Sequence, residues 1–538
     1  MLAPALRPDT EQYSGSKSIP APTGGLNARD ALANMAETDA IIMDNFFPQP
    51  TWVELRNGKK TRGTFTGLCE TLAAYNGVSA SQLYAAVNNA GTRSIYRVDN
   101  LAGGAVGAPV VGGAGGTIQA ITSTRYDWQQ FGTGSAEIVY LVNGVDNPLI
   151  YDGTNWQAVT TTSVPYALTG TTPSLLSAVA SYHQRLFFIQ GGSLNVWYLP
   201  IGAIAGALVQ LPLAAYFPLG GALVSIITVS IDNASGANDY IAFVSNMGEV
   251  VVFTGTDPSS TSTFALSAHF RIGRPIGAGR RCWQKLGSDA AIICTDGVVM
   301  LSQALLTDRS QTRNTVTDKI RKAFNALAQQ FGTNFGWQAQ LYPLGSKLIV
   351  NVPTTENGAS FAYVMNTLNG SWCTFGQLNS PWNAFCWETM GDQLFFGTNG
   401  RVCQADTGGD DDGAAINGLV KTAFSYFDDP GELKLWEMAR CVFIASGTIS
   451  IGLALSVDFN NQLPTGTVQL SQGNSAVWNV ALWTTPTYWG DALVLSKNWL
   501  GIGGLGYAAA LTLQVSGLDV GLQWQSTDYI FQKGGLVG

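Results

Sequence analysis

The chain reads as an all-β protein built around a β-propeller of about seven blades, and three observations lead there. Short apolar runs recur roughly every 50 residues, close to the spacing of propeller blades. They occupy residues 83–87, 138–142, 186–189, 240–244, 291–294, 348–350 and 394–396. Most are followed by a Gly/Asn/Asp turn and a second β-rich run, as in Asn246-Met247-Gly248 before Val250-Val251-Val252-Phe253 and Thr398-Asn399-Gly400 before Arg401-Val402-Cys403. A single unit of this kind cannot bury both its faces, whereas several arranged radially can.

The elements follow in chain order. Residues 1–65 predict an N-terminal arm with a short helix. Residues 1–20 are polar and Pro-containing, and Pro22-Thr23-Gly24-Gly25-Leu26-Asn27 is rich in turn formers. A helix is expected over 37–45, because Glu37 and Asp39 would sit at its positive end and Pro48 would stop it. Trp52-Val53-Glu54-Leu55-Arg56 alternates as a strand, with a hairpin turn expected at Asn57-Gly58. The propeller is expected over 66–415, with a helical insertion at about 314–331. There Val316, Ile320, Phe324, Leu327 and Phe331 form one apolar stripe, Thr315 and Asp318 give a capping-box-like start, and Lys319, Arg321 and Lys322 lie off the stripe. Asp406-Thr407-Gly408-Gly409-Asp410-Asp411-Asp412-Gly413 marks a boundary. Residues 416–538 alternate with period two again, as in Thr448-Ile449-Ser450-Ile451-Gly452-Leu453, and predict a C-terminal β-sandwich-like domain.

Composition narrows the function classes. Of 538 residues, 46% are hydrophobic and only 12% charged, which favours a subunit whose surface is covered by other subunits. The net charge of −8 argues against tight phosphate binding, which needs Lys/Arg clusters, but does not exclude DNA passing by, because an acidic wall would let it slide without adhering. The seven cysteines are odd in number and widely spaced, and the only histidines are His183 and His269, so a structural zinc site is not expected. The N-terminus lacks the apolar core of a signal peptide. Residues 186–231 carry no charge, but Pro200, Pro212, Pro218 and Gly220-Gly221 interrupt them, so buried strands and apolar loops are expected rather than a membrane span; contact of a tip loop with a membrane is the minor alternative.

The tested constellations give little chemistry. Gly501-Ile502-Gly503-Gly504-Leu505-Gly506 matches the dinucleotide fingerprint literally but lacks the strand-to-helix context, so a glycine-rich β-turn is expected. Asp406, Asp410 and Asp412 are a weak calcium candidate without the twelfth-position Glu of an EF-hand; a solvated loop is the plainer reading. No Gly-x-Ser-x-Gly occurs, and His183 and His269 read as structural. Tyr151-Asp152-Gly153-Thr154-Asn155-Trp156 reads as a hairpin turn with a packing Trp. Arg271, Arg274, Arg280, Arg281 and Lys285 form the most basic patch, either a contact for DNA phosphates or an acidic partner, or a set of inter-blade charges. No cofactor and no catalytic residue is expected.

Several segments resemble the tail nozzle proteins of short-tailed bacteriophages, also called packaged-DNA stabilisation proteins. The resemblance is carried by Gly24-Gly25-Leu26-Asn27-Ala28-Arg29-Asp30 with residues 39–48, by residues 248–258 with Ile272-Gly273-Arg274-Pro275-Ile276-Gly277, and by Asn369-Gly370-Ser371-Trp372 with residues 394–400. It spans residues 24 to about 413 and matches the C-terminal part less clearly. It implies a virion tail subunit, assembled in the host cytoplasm, forming a homo-hexameric ring below a head-to-tail adaptor ring. Such a ring retains the packaged genome, lets double-stranded DNA pass at ejection, carries or contacts tailspikes or fibres, and has no enzymatic activity. Within it, Leu211 and Phe217 in the uncharged stretch are the candidates for a hydrophobic constriction or tip loop. The rivals from other classes are a carbohydrate-binding or glycosidase propeller, which the 15 Trp and 18 Tyr would suit, and a cytosolic scaffold propeller.

Overall fold

In the computed structural model the structure describes residues 14–534, apart from 79, 100–101, 135, 234–235, 261, 303–314, 379, 471–493 and 497. The described strands group into seven blades. Blades 2, 3 and 4 are each four antiparallel strands, spanning Asp127–Gly132 to Trp156–Ala158, Leu176–Tyr182 to Val209–Pro212, and Leu223–Asn233 to Phe264–Arg271; in blade 3 the short strand Gly206–Ala207, which pairs with Leu168–Thr169, precedes the fourth strand. Blade 5 shows three strands among the described residues, from Trp283–Leu286 to Gly297–Met300. Blade 6 runs from Gln338–Tyr342 to Trp372–Phe375. The first strands of neighbouring blades contact one another around an axis. Successive blades bury shared apolar clusters, such as Tyr140 with Phe188 between blades 2 and 3 and Phe187 with Phe243 between blades 3 and 4.

Blades 1 and 7 are joined by one strand. Lys59–Asn76 pairs through its first half with Gln393–Ala405 of blade 7 and through its second half with Ser81–Asn89 of blade 1. N-terminal chain therefore closes the ring against the last blade, so that neither end blade keeps an open side.

Beyond blade 7 the chain forms a sandwich of two sheets, and the N-terminal segment is woven into both. Ser14–Pro20 and Val53–Leu55 pair with the last strand, Leu522–Lys533, in one sheet. Asp39–Asp44 pairs with Ile416–Thr422 in the other, and its end bridges to Thr374 of blade 6, so that blade 6 and the sandwich share a ten-stranded sheet. Phe46, Leu55, Phe443, Leu513 and Trp524 lie in one buried core that runs into blades 5 to 7.

Three expectations are corrected. Residues 37–45 do not form a helix: Asp39–Asp44 is a strand, because Asp39 serves as acceptor for Asn27 at 2.7 Å and Lys319 at 2.8 Å instead of capping a dipole. Asn57-Gly58 is no hairpin turn; the hairpin lies between Phe46–Pro48 and Val53–Leu55, and Gly58 N–H donates to the Gly408 carbonyl as the chain leaves the sandwich for blade 7. The described part of 1–65 is not a free-standing arm but integral to the sandwich and the ring closure. A buried guanidinium seals this seam: Arg56, 2% exposed, is bidentate to Asp411 at 2.9 and 2.7 Å, bonds Asn45 and stacks 4.5 Å from the Trp382 ring.

The insertion helix is present at Arg321–Phe331, preceded by a 3-10 turn at Asp318–Ile320. Its stripe packs Phe324 against Trp337 and Tyr363. The capping box does not form, since Asp318 pairs with Arg29 at 2.5 Å instead.

Candidate functional site: the axis of the propeller

The seven first strands enclose an axis, and the chain itself fills it. The connection from blade 4 to blade 5 turns inward, and Gly279–Cys282 forms a 3-10 turn packed on the first strands of blades 2 to 6. Gly279 has φ +60°, and a Cβ there would lie 2.6 Å from Asp127 Cγ, so conformation and space both demand glycine. Ser225 of blade 4 donates to the Gly279 carbonyl at 2.9 Å. Asp127 of blade 2 accepts from the backbone N–H of Arg280 at 3.0 Å and of Val179 in blade 3 at 2.9 Å. Arg281 spans to the remaining blades. It donates to the Phe385 carbonyl of blade 7 at 3.2 Å, to Gln338 of blade 6 at 3.4 Å and to the Glu70 carbonyl of blade 1. Four residues thereby tie the whole ring together.

Burial sets the electrostatics. Arg281 is 8% exposed and hydrogen-bonds only neutral oxygens, and desolvation lowers its pKa. Burial also raises Asp127 and Glu388 above their ordinary carboxylate values, against the pull of Arg280 and backbone N–H groups. Arg280 lies 3.9 Å over the Trp128 ring with Nη2 3.4 Å from Glu388. Glu70 accepts from Arg125 at 3.0 Å and from Thr124. Arg125 reaches Glu356 at 2.9 Å, and Glu356 accepts the Phe335 N–H at 2.7 Å. The Phe335 ring lies under two guanidiniums, Arg125 at 4.0 Å and Arg281 at 4.5 Å.

The turn divides the axis into two shallow hollows. One, of about 300 Å³, is lined by Arg125, Ser177, Phe335 and Trp337, and the loop after the helix covers it. The other, of about 220 Å³, is lined by Trp128, Gln129, Thr228, Trp283, Gln284 and Lys285. The axial carboxylates are held by backbone N–H groups, arginines and Thr124, an arrangement that locks blades together.

The expected site residues fall in different places. Arg281 is buried in the axial turn and Arg280 is stacked on Trp128, so neither presents a phosphate contact; Arg271, Arg274 and Lys285 are exposed. The five side chains therefore do not make one patch. Asp406, Asp410 and Asp412 diverge: Asp406 to Lys347 at 2.7 Å, Asp410 to Lys60 at 3.0 Å, Asp412 to Thr61 and Arg401. Among the described residues no cluster of acids, His or Cys is arranged to hold a metal. This corrects the calcium candidate, because each carboxylate already has a cation or hydroxyl of its own. Phe217 is 2% exposed in the core between blades 3 and 4, and Leu211 is half-buried against it, so neither forms a tip or constriction. The exposed apolar side chains of that stretch are Ile201, Val209, Tyr216 and Leu219. Among the described residues no helix is long and apolar enough to cross a membrane.

Other motifs resolve as structure. Gly501–Gly506 is not a turn but part of the strand Leu500–Gly506, whose glycines let Val457 and Leu455 approach. His183 lies 3.7 Å from Asp239, and His269 3.4 Å from Glu249. Trp156 stacks on Tyr151 at 5.0 Å across its hairpin. All seven cysteines are buried and free. The residues carrying the family resemblance are contact points between distant segments. Asn27 bonds Asp30 and Asp39, Ser371 donates to the Thr23 carbonyl at 2.8 Å, and Trp372 to the Val316 carbonyl at 3.0 Å. Gly248 sits against the carbonyl of Ile272, which a Cβ would approach to 2.6 Å.

Asp127, Glu388, Glu70, Arg125 and Phe335 went unread in the sequence. The available signal was the run Gly277-Ala278-Gly279-Arg280-Arg281 between two strands, small enough to enter a crowded axis.

No family model matches the chain, and no curated protein matches it. Solved structures do show likeness. One is BBS1N in complex with ARL6DN, at 12% identity and TM-score 0.37, covering 65% of this chain and 96% of that one. Another is Raptor of Chaetomium thermophilum, at 10% and 0.39, covering 65% and 29%. A third is an exo-beta-1,3-galactanase of Phanerochaete chrysosporium, at 11% and 0.25, covering 76% and 97%. The propeller is established here by its own strand pairing.

Proposed function

We propose that this chain is a structural subunit of a short bacteriophage tail, a nozzle whose copies form a hexameric ring. The ring retains a packaged genome and opens for its ejection. The observation that carries the reading is the filled axis. The place where propellers commonly hold ligands is occupied by the chain's own Gly279–Cys282, and the carboxylates around it are committed to holding blades. What remains is a rigid body suited to being a ring segment. Its small charge content suits wide burial between copies. On this reading DNA passes between copies, along the ring's own axis. Six copies would carry about −48, six times the −8 of one chain, which disfavours adhesion of DNA to the channel wall. The partners are further copies, the adaptor ring, and tailspikes or fibres; the location is the virion tail after assembly in the host cytoplasm.

The test is the mass and the negative-stain image of the purified chain, alone and with the adaptor ring. A six-fold ring near about 342 kDa, six times 57.0 kDa, supports the reading. A chain that stays monomeric with the adaptor overturns it. A carbohydrate-binding reading has one observation in its favour, the hollow lined by Trp128, Trp283, Gln129 and Gln284. Binding on a glycan array that is lost in Trp283→Ala would favour it.

A further inference from the structure

A cleft of about 610 Å³ opens between blades 1 and 2 and shares no lining residue with the two axial hollows. Three turns frame it: those that follow the strands Lys59–Asn76, Asp127–Gly132 and Leu149–Tyr151. Its volume lies within the range of about 300–1,000 Å³ usual for small-molecule sites. We propose that this cleft binds a neutral saccharide. The proposal concerns the single chain and does not depend on the ring reading.

The polar groups of the cleft are held in place before any ligand arrives. Tyr75 is 8% exposed and packs edge-on against Tyr151 at 5.1 Å, yet its hydroxyl has no hydrogen-bond partner among the described residues. Two glycines of the lining let that hydroxyl reach the cleft. A Cβ on Gly77 would lie 2.6 Å from Tyr75 Cε1, and one on Gly153 would meet the hydroxyl itself. Gln82 is oriented by two more phenols. Tyr84 and Tyr151 donate to its Oε1 at 2.6 and 2.7 Å, which leaves its amide N–H groups for a ligand. Gln130 ties the two blades together, accepting from the Asn76 N–H at 2.9 Å and donating to the Asn76 carbonyl at 2.8 Å.

The charges select the ligand. Glu137 and Asp152 are the charged side chains of the lining, and neither meets a cation among the described residues. Asp152 accepts the N–H groups of Thr154 and Asn155 on one oxygen, at 2.9 and 2.7 Å, and keeps the other. Burial raises the pKa of Tyr75, and Glu137, Tyr151 and Asp152 raise it further, so the phenol stays a neutral donor. Two carboxylates without a cation repel phosphate, sulfate and uronic acids. An ammonium or guanidinium would use the carboxylates but would set its own donors against the N–H groups of Gln82. A neutral sugar uses every group: its hydroxyls donate to the carboxylates and accept from Gln82 and Tyr75. The half-buried Tyr166 supplies an apolar wall with a polar tip for the C–H faces of the sugar ring.

The experiment is saturation-transfer NMR on the purified full-length chain with glucose, galactose, mannose and N-acetylglucosamine at millimolar concentration, and with tetralysine as the cationic probe. The proposal expects transfer to at least one sugar, with affinity falling about fivefold in Tyr75→Phe and in Glu137→Gln. Tyr75→Phe keeps the ring and removes a hydroxyl that bonds nothing in the chain, so its unfolding midpoint should not move, which separates a binding role from a structural one. Trp283→Ala, in the axial hollow, should bind as the unsubstituted chain does. Absence of transfer to every sugar overturns the proposal, as does transfer lost in Trp283→Ala but unchanged in both cleft variants. Tetralysine binding that weakens in Glu137→Gln, with no sugar bound, overturns it in favour of a basic peptide. The six-fold ring stands or falls on its own image and mass, whichever of these results is found.

Discussion

Blades 2 to 4 and the seam that joins blade 7 to the sandwich are built from the same kind of strand but by opposite routes. Each of blades 2 to 4 is four antiparallel strands from one continuous stretch of chain, so its pairing partners are near in sequence. The seam brings together Lys59–Asn76 with Gln393–Ala405, and Ser14–Pro20 with Leu522–Lys533, segments from the two ends of the chain. Local blades pay little loop-closure entropy, whereas the seam must gather distant segments before any contact rewards it. The seam accordingly carries the buried Arg56–Asp411 pair, with both partners almost fully removed from water. The local blades hold their shared faces with aromatic and aliphatic side chains instead.

The largest effect is expected in the local half. Phe217→Ser removes a buried ring between blades 3 and 4 and puts a hydroxyl in its place, at a cost of about 4–5 kcal/mol. Denaturant unfolding measures it, and hydrogen exchange should show loosening confined to blades 3 and 4. Genome leakage from assembled heads without any loss of stability would contradict the core placement. Next comes the seam. Arg56→Met leaves Asp411 buried without its cation, at about 3–4 kcal/mol. Here exchange should rise in Gln393–Ala405 and in the sandwich while blades 2 to 4 stay protected. Uniform loosening would abolish the distinction between the two halves.

Arg281→Leu tests the one device that serves both halves. The carbonyls of Glu70 and Phe385 lose a buried donor, at about 2–3 kcal/mol. Because Arg281 links blades 1, 6 and 7 while its neighbours hold blades 2 to 4, protection should fall around the whole ring. A smaller effect is expected from Glu388→Gln, read as a change in pH dependence. Burial raises the folded-state pKa of Glu388 above its unfolded value. The folded state therefore binds more protons, and stability is fullest below the unfolded value and declines as pH rises through the raised one. The Gln variant should flatten that decline, measured as unfolding midpoint against pH. The smallest effect belongs to Leu219→Ser on the exposed rim, within about 0.5 kcal/mol for the isolated chain. A large loss there would mean that the rim is packed in the single chain.

The same contrast decides what was legible. The strand repeat was readable because each blade states its pattern within one stretch: an apolar run, a turn, a second run. The helix Arg321–Phe331 was readable because its stripe has a period of its own. Residues 37–45 were misread because acids near a possible helix start look alike whether they face a dipole or a distant lysine. Asp39 meets Lys319, and no local pattern encodes that. The basic patch failed for a related reason. Arg280 and Arg281 are adjacent to exposed arginines in sequence, yet the backbone turns them into the axis.

By itself the sequence determined the strand content, the repeat and the helical stripe. These depend on periodicity and residue type, which act over a few residues. The tertiary structure alone decided that the ends of the chain close the ring and share the sandwich, that Gly279–Cys282 fills the axis, and that the aspartates near residue 410 part toward separate cations. Those outcomes depend on which distant groups compete for the same buried space and the same hydrogen bonds, and such competition arises only once the chain has been brought together.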